Sequence, residues 1–72
     1  MEIDKIKSII EAILFAAGRQ VAIKELMISL EISKEDLENI IVSMQEDYKM
    51  QNRGIELIKV EDSYQLCTKK EL

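Results

Sequence analysis

Apolar residues recur every three or four positions along most of the chain, the spacing that gathers side chains on one face of an α-helix. This spacing predicts helices over Ile3–Ala17, Ile23–Leu30 and residues 37–51. Two β-prone runs follow, at Ile55–Val60 and at residues 64–68. Three helices and then a hairpin is the order of a winged helix-turn-helix domain. The predicted fold is therefore mainly α with a small β-hairpin, three helices plus a wing.

The predicted helix ends carry local signals of their own. Gly18 stands where a chain commonly leaves a helix in the left-handed conformation. Ser33 and Asp36 have the spacing of a capping box, with Asp in place of the usual Glu. Ala22 is a poor N-cap for the second helix because its side chain has no acceptor.

The connections beside the β-prone runs are short. Residues 61–63 join the two runs without a glycine, so we expect Asp62 or Ser63 to adopt an uncommon backbone conformation. Residues 19–21 form a brief extended connection that can pair with the wing as an edge strand.

The first helix is apolar around most of its circumference. One stripe is predicted to face the core: Ile3, Ile6, Ile10, Ile13, Leu14 and Ala17. A second set projects to the other side: Ile9, Ala12, Phe15 and Ala16. A helix of this kind has to be covered on two sides. Either the wing and the third helix cover the second set, or it is a dimer or partner surface centred on Phe15, whose ring carries a large apolar area.

The third helix carries a core seam whose members recur at three and four residues: Leu37, Ile40, Ile41, Met44 and Tyr48. Val42 and Met50 fall away from this seam, and Ile28 falls away from the inward positions of the second helix. These three residues are further candidates for a protein interface. Single exposed apolar residues are also ordinary on protein surfaces, and the sequence leaves both interpretations open.

The charges argue against DNA as the partner. The net charge is −4, whereas phosphate backbones are bound largely through Lys and Arg. The groove-reading helix of such a domain enters DNA by its N-terminal residues, but here Lys34 is followed by Glu35 and Asp36. The wing tip, residues 61–63, also carries two carboxylates and no cation. The sequence therefore predicts no direct DNA binding and favours a protein partner. A DNA-binding transcriptional regulator is the alternative function.

Residue types used in catalysis and cofactor binding are scarce. The chain has no histidine, and its one cysteine, Cys67, has no metal-ligand spacing around it and cannot form an internal disulfide. The two glycines lie far apart and form no phosphate-binding loop. We expect no enzyme activity, no cofactor, no metal and no small-molecule substrate. A basic signal-peptide start and a membrane-length apolar run are missing, which predicts a cytoplasmic protein without membrane contact.

Three motifs occur in the order in which one bacterial family has them. They are I-E-A-I-L-F-A-A-G at residues 10–18, R-G-I-E-L at residues 53–57 and Y-Q-L-C-T at residues 64–68. In combination they make the chain resemble the opening of segregation and condensation protein B. The chain departs from that family in caps and turns, where Ala22 replaces a capping hydroxyl, the wing tip lacks glycines and Lys70 stands where proline is common.

The resemblance implies a protein of two winged-helix domains, of which residues 1–72 would be the first, with residues 68–72 beginning a linker or the next helix. It implies a homodimer formed largely through the N-terminal domains. It also implies binding to a kleisin subunit, segregation and condensation protein A, and through it to the SMC ATPase. The implied function is that of a non-enzymatic scaffold in chromosome condensation and segregation, in the cytoplasm and associated with the nucleoid through its complex.

Overall fold

The computed structural model describes residues 2–70. Its elements, in chain order, are α1 (Ile3–Ala17), β1 (Val21–Ala22), α2 (Ile23–Leu30), α3 (Lys34–Met50), β2 (Ile55–Val60) and β3 (Ser63–Thr68). The strands form one antiparallel sheet in which β3 lies between β1 and β2. Three helices and a hairpin wing in this order confirm the predicted winged helix-turn-helix fold.

A single apolar core lies between the helices and the inner face of the sheet. Its members are Ile6, Ile10, Leu14, Val21, Ile23, Leu26, Leu37, Ile41, Met44, Tyr48, Leu57 and Tyr64. The predicted stripe of α1 is confirmed at its centre, but Ile3 is 59% exposed. Ile3 is the first residue of the helix, and a helical Cα–Cβ bond tilts toward the N-terminus. The packing that covers Ile6 therefore does not extend to Ile3.

The caps explain where the helices begin and end. Gly18 has a φ of 61° and donates its N–H to the carbonyl of Leu14, which confirms the predicted stop of α1. The Oγ of Ser33 accepts from the N–H of Asp36 at 3.1 Å, which confirms the predicted cap, and α3 begins at Lys34, three residues before the apolar period begins. Ala22 makes no side-chain cap.

The wing turn differs from its prediction. Only Glu61 and Asp62 form the turn, since Val60 pairs directly with Ser63. The residue with positive φ is Glu61, at 54°, so the expectation of Asp62 or Ser63 was wrong. Two-residue hairpin turns of types I′ and II′ both require a positive φ at their first central residue, and that residue is Glu61 once Ser63 belongs to β3.

An edge strand exists as β1, but it lies at Val21–Ala22, so Val21 alone of the predicted residues 19–21 belongs to it. Val21 pairs with Tyr64, and Ala22 pairs with Ser63. The next N–H along the chain, that of Ile23, donates to the carbonyl of Asp62 at 2.8 Å. The wing therefore hydrogen-bonds one of the backbone donors that the first turn of a helix leaves free.

Candidate protein interface

The outer side of α1 is open. The side chain of Phe15 is 80% exposed, and Ala12 and Ala16 are exposed beside it, while Ile9 is half-buried at the edge of the core. Neither the wing nor α3 covers this ring. Of the two interpretations of the second apolar set, coverage within the domain therefore fails for Phe15.

The apolar part of this side is confined to the second half of the helix. In the first half, the exposed positions on this side are Asp4, Lys5 and Ser8, whereas the exposed Ile3 lies on a different face of the helix. At 100° per residue, Ala12 and Ala16 lie on the same flank of Phe15, because they are three residues before it and one after it. The result is a patch of two small residues beside one aromatic ring. Small neighbours allow a second backbone or side chain to approach the ring closely.

The patch continues onto the hairpin. Ala12 and Phe15 line a shallow groove with Ile55 of β2 and Leu66 of β3, both half-buried, and Ser8, Glu11 and Arg53 form its polar rim. Ile55 and Leu66 belong to the same face of the sheet as Leu57. Sequence reasoning missed them because alternation along a strand gives the face of a residue, not whether that face is fully covered.

A polar cluster fixes one wall of this groove. The hydroxyl of Tyr48 donates to the carboxylate of Glu11, which joins α3 to α1. The guanidinium of Arg53 lies 3.8 Å from the same carboxylate and 5.2 Å from the centre of the Tyr48 ring. Burial and the adjacent Glu11 carboxylate raise the pKa of the Tyr48 hydroxyl above its ordinary value, so Tyr48 stays neutral and keeps donating.

A second contact holds the same two helices together. The ammonium of Lys7 on α1 lies 2.8 Å from the carboxylate of Asp47 on α3, and both groups are partly covered. Together with the Tyr48–Glu11 hydrogen bond, it ties the polar side of α1 to α3. These contacts fix the orientation of α1, and the neighbouring apolar face with Phe15 is thereby held outward.

The remaining interface candidates lie elsewhere. Ile28 on α2 and Val42 and Met50 on α3 are all exposed. They do not line the groove at Phe15. The structure therefore brings Ala12 and Phe15 together with the hairpin, and leaves Ile28, Val42 and Met50 as separate exposed residues.

The elements that would face DNA present carboxylates. Glu35 and Asp36 are exposed in the first turn of α3, and Glu61 and Asp62 are exposed at the wing turn. Lys34 is the one cation among these positions. Negative charge at both elements disfavours approach to a phosphate backbone.

Two other kinds of feature, a metal site and a membrane-spanning helix, were sought within residues 2–70. Within this range no three His, Cys, Asp or Glu side chains gather closely enough to hold a metal ion. No helix in the same range has the length and apolar character needed to cross a bilayer. The exposed apolar side of α1 is the feature that calls for a functional explanation.

Comparison with known proteins identifies relatives along the whole chain. The segregation and condensation protein B of Clostridioides difficile is 44% identical over 73 aligned positions, which cover 99% of this chain and 41% of that protein. The one of Bacillus pumilus is 48% identical over 66 positions, which cover 90% of this chain and 34% of that protein. The chain thus spans about two fifths or less of the curated relatives that it matches.

Solved structures agree with these matches. A crystal structure of a dimer of the ScpB N-terminal domain complexed with ScpA peptide superposes with a TM-score of 0.88 at 34% identity, over 96% of this chain and 86% of that one. ScpB from Mycobacterium tuberculosis superposes with a TM-score of 0.89 over 99% of this chain and 44% of that one, at 18% identity, which supports the fold alone. The family model "Segregation and condensation complex subunit ScpB" matches residues 8–72, and the chain belongs to that family.

Proposed function

We propose that the chain is a scaffold module of a bacterial SMC–kleisin complex that condenses and segregates the chromosome. In this role it forms a homodimer through the outer side of α1 and binds a kleisin subunit, segregation and condensation protein A, which links it to the SMC ATPase. It acts without catalysis, in the cytoplasm and at the nucleoid. Residues 1–72 serve as the N-terminal of two winged-helix domains. Thr68 is the last residue of β3, so the linker or the next helix begins after it, with residues 71–72 outside the described range.

The proposal of a dimer rests on the exposed ring of Phe15. An aromatic side chain in water leaves a large apolar area uncovered, and aromatic residues are enriched at the centres of interfaces. A stable interface buries about 800 Å² on each partner, roughly a sixth of the 5131 Å² surface of this chain. Phe15, Ala12, Ala16 and the groove wall at Ile55 and Leu66 supply the apolar centre of such an area.

The relatives support the same partners. The solved ScpB N-terminal domain, 34% identical to this chain, is a dimer complexed with ScpA peptide. This chain has the same fold over nearly its full length. Its acidic α3 and wing turn suit recognition of a protein rather than of a phosphate backbone.

The non-catalytic and cytoplasmic parts of the proposal rest on composition. The full sequence contains no histidine to act as a base near neutral pH. The single cysteine is compatible with a reducing compartment, because it cannot pair within the chain. A fluorescent fusion that coincides with the nucleoid, and disperses when the kleisin gene is deleted, is the expected cellular result.

Sedimentation of the chain over a range of concentrations tests the dimer. We expect self-association that Phe15→Asp weakens at least about 30-fold, since the loss of a central aromatic residue costs about 2 kcal/mol or more. Ile3→Asp is the control, because Ile3 is exposed on the same helix but away from the patch. Asp at Ile28, Val42 or Met50 shows whether any of these residues extends the interface. A wild-type chain that sediments as a monomer at high micromolar concentration contradicts the proposal.

A further inference from the structure

One edge of the sheet is open to an additional strand. In the order β1-β3-β2, the outer side of β2 pairs with no other strand of the described residues. Val60 and Ser63 flank a two-residue turn and exchange hydrogen bonds, and antiparallel pairing alternates from there. The N–H and C=O groups of Ile55, Leu57 and Lys59 therefore point away from β3.

A side chain of α3 already uses this edge. The amide of Gln45 donates from Nε2 to the carbonyl of Leu57 at 3.0 Å. The donor lies at the place where the N–H of an incoming strand would lie. This contact shows that the outward carbonyl of Leu57 accepts a hydrogen bond from the side that faces α3.

The space beside the edge is a groove rich in cations. It runs between α3 and β2, and its charged lining residues are Lys49, Lys59, Lys69 and Glu56. Three ammonium groups line the groove against one lining carboxylate, and a second carboxylate, that of Glu38 on α3, lies 3.8 Å from the Lys59 ammonium. The groove keeps a net positive charge on a chain of net charge −4. The Nζ of Lys69 donates to the carbonyl of Tyr48 at 3.1 Å, which holds that cation at the groove wall.

We propose that this groove binds an extended acidic segment of a partner polypeptide, which adds to β2 as a further strand. The main chain of the segment hydrogen-bonds to the outward groups of Leu57 and Lys59, and its N–H replaces the Gln45 amide at the Leu57 carbonyl. Its carboxylates bind Lys49, Lys59 and Lys69. Strand addition gives affinity through the backbone, and the lysines select an acidic sequence. The inference rests on the proposed function, in which the partner is the kleisin.

The edge groove is distinct from the dimer patch. The patch at Phe15 and Ala12 lies on the outer side of α1, whereas the edge groove is lined by α3 and β2. A dimer formed through α1 thus leaves the lysines at the edge available to a second type of partner. One surface serves the second copy and the other serves the acidic segment.

Overlapping 15-residue peptides that cover the kleisin of the same bacterium are the probes, with the ¹⁵N-labelled chain observed by NMR. A similar domain of a relative was crystallised as a separate N-terminal domain with a peptide, which supports use of the isolated chain. We expect an acidic peptide to shift the backbone amides of Leu57 and Lys59 and the side-chain amide of Gln45. The amides of Ile58 and Val60, which bond to β3, should move less.

Charge reversal tests the lysines. Lys49→Glu with Lys59→Glu should weaken peptide binding about tenfold or more, because two attractive pairs become repulsive. Lys5→Glu with Lys24→Glu changes the net charge equally at exposed positions outside the groove, and should leave the affinity within about twofold. Lys59→Pro removes one outward N–H at an edge position that tolerates proline. Its affinity should fall below that of Lys59→Gln, which removes only the charge.

The outcomes separate the two proposals. A bound peptide that shifts α1 or α2 while β2 and Gln45 stay unchanged overturns the inference and leaves the proposed function standing. A peptide whose affinity is equal in the two double variants also overturns it. Failure of every peptide and of the full-length kleisin to bind contradicts the proposed function itself. Binding of a short DNA duplex through Lys49 and Lys59, with no peptide bound, overturns the assignment to a protein partner.

Discussion

Leu14 and Phe15 are neighbours on one helix, and they have opposite environments. Leu14 is 1% exposed in the core, whereas Phe15 is 80% exposed on the outer side of α1. Both are large and apolar, so hydrophobicity does not distinguish them. Their positions around the helix do, because successive residues are rotated by 100°. One face stabilises the single chain, and the other is available to stabilise an assembly.

The difference lies in when each side chain leaves water. Leu14 is buried when the chain folds, and burial of a side chain of its size contributes about 1.5–3 kcal/mol to folding. Phe15 contributes in the same way only when a second surface arrives, so its contribution depends on concentration. Stability measured on the monomer should therefore respond to Leu14 and not to Phe15, and association should respond to Phe15.

The largest expected effect is on the free energy of unfolding of Leu14→Ala. Truncation of a fully buried leucine costs about 2–5 kcal/mol, through lost burial and the cavity that remains. The matched variant Phe15→Ala should stay within about 0.5 kcal/mol of the wild type, as surface substitutions usually do. Urea unfolding at a concentration where the chain is monomeric measures both. Equal losses in the two variants would mean that Phe15 packs within its own chain.

A smaller effect is expected on dimerisation from the two alanines beside Phe15. Ala12 lines the groove with Phe15, Ile55 and Leu66, whereas Ala16 does not. Ala12→Arg should weaken association by about tenfold or more, since a bulky charge then fills the groove. Ala16→Arg, on the same flank one turn later, should weaken it less. Sedimentation equilibrium gives both dissociation constants, and the reverse order would place the centre of the contact on the Ala16 side of the ring.

The polar side of α1 contributes less than the core. Tyr48→Phe removes the hydrogen bond from the Tyr48 hydroxyl to the Glu11 carboxylate. We expect a loss of about 1 kcal/mol at neutral pH, because Glu11 is half-buried and water can partly replace the hydroxyl. Urea unfolding measures the loss. The residues that line the groove beside Phe15 should also become more mobile, and NMR would detect this as broadened signals of Arg53 and Ile55.

Alkaline pH provides a separate test of the same tyrosine. Burial raises the pKa of both Tyr48 and Tyr64, so the folded chain holds these protons more tightly than the unfolded chain does. Stability should be constant below the unfolded value of about 10 and should fall as pH rises above it. Tyr48→Phe should reduce this fall, and Tyr48→Phe with Tyr64→Phe should reduce it further. An unchanged slope in the double variant would assign the alkaline loss to other groups.

The elements were largely predictable from sequence because each has a period and an end signal. The stripe through Ile6, Ile10 and Leu14 identified α1, and Gly18 identified its end. For α3 the two signals differ: the apolar seam begins only at Leu37, and it was the Ser33 cap that indicated the earlier start at Lys34. Periodicity reports buried positions, and the first turn of α3 has none.

The candidate interface was only partly predictable. The angular positions of Ala12 and Phe15 gave the outer side of α1, but Ile55 and Leu66 required the packing of the hairpin against that helix. The exposure of a side chain depends on whether a neighbouring helix or strand reaches far enough to cover it. A single sequence does not give the relative positions of these elements. For the same reason the edge groove at Lys49, Lys59 and Lys69 appears only after α3 and β2 are placed side by side.

Backbone conformations at non-glycine residues were the least predictable feature, and one of them gives the smallest expected effect. Glu31 ends α2 with a φ of 55°, a conformation that glycine adopts without the steric cost of a Cβ atom. Its carboxylate also faces the negative end of the helix dipole. Glu31→Gly should therefore stabilise the chain by about 1 kcal/mol, or about 4–8 °C in Tm.

Two further variants give reference values for the change in the free energy of unfolding expected of Glu31→Gly. Glu35→Gly makes the same replacement in the first turn of α3, where the backbone is helical and the carboxylate lies at the positive end of the dipole, and should cost about 1 kcal/mol. Gly18→Ala places a Cβ in open space at a φ of 61°, so it isolates the backbone strain and should also cost about 1 kcal/mol. If Glu31→Gly destabilised the chain as Glu35→Gly does, the strain at the end of α2 would be smaller than the entropy that glycine adds to the unfolded chain. The opposite signs are expected because glycine relieves strain only where φ is positive.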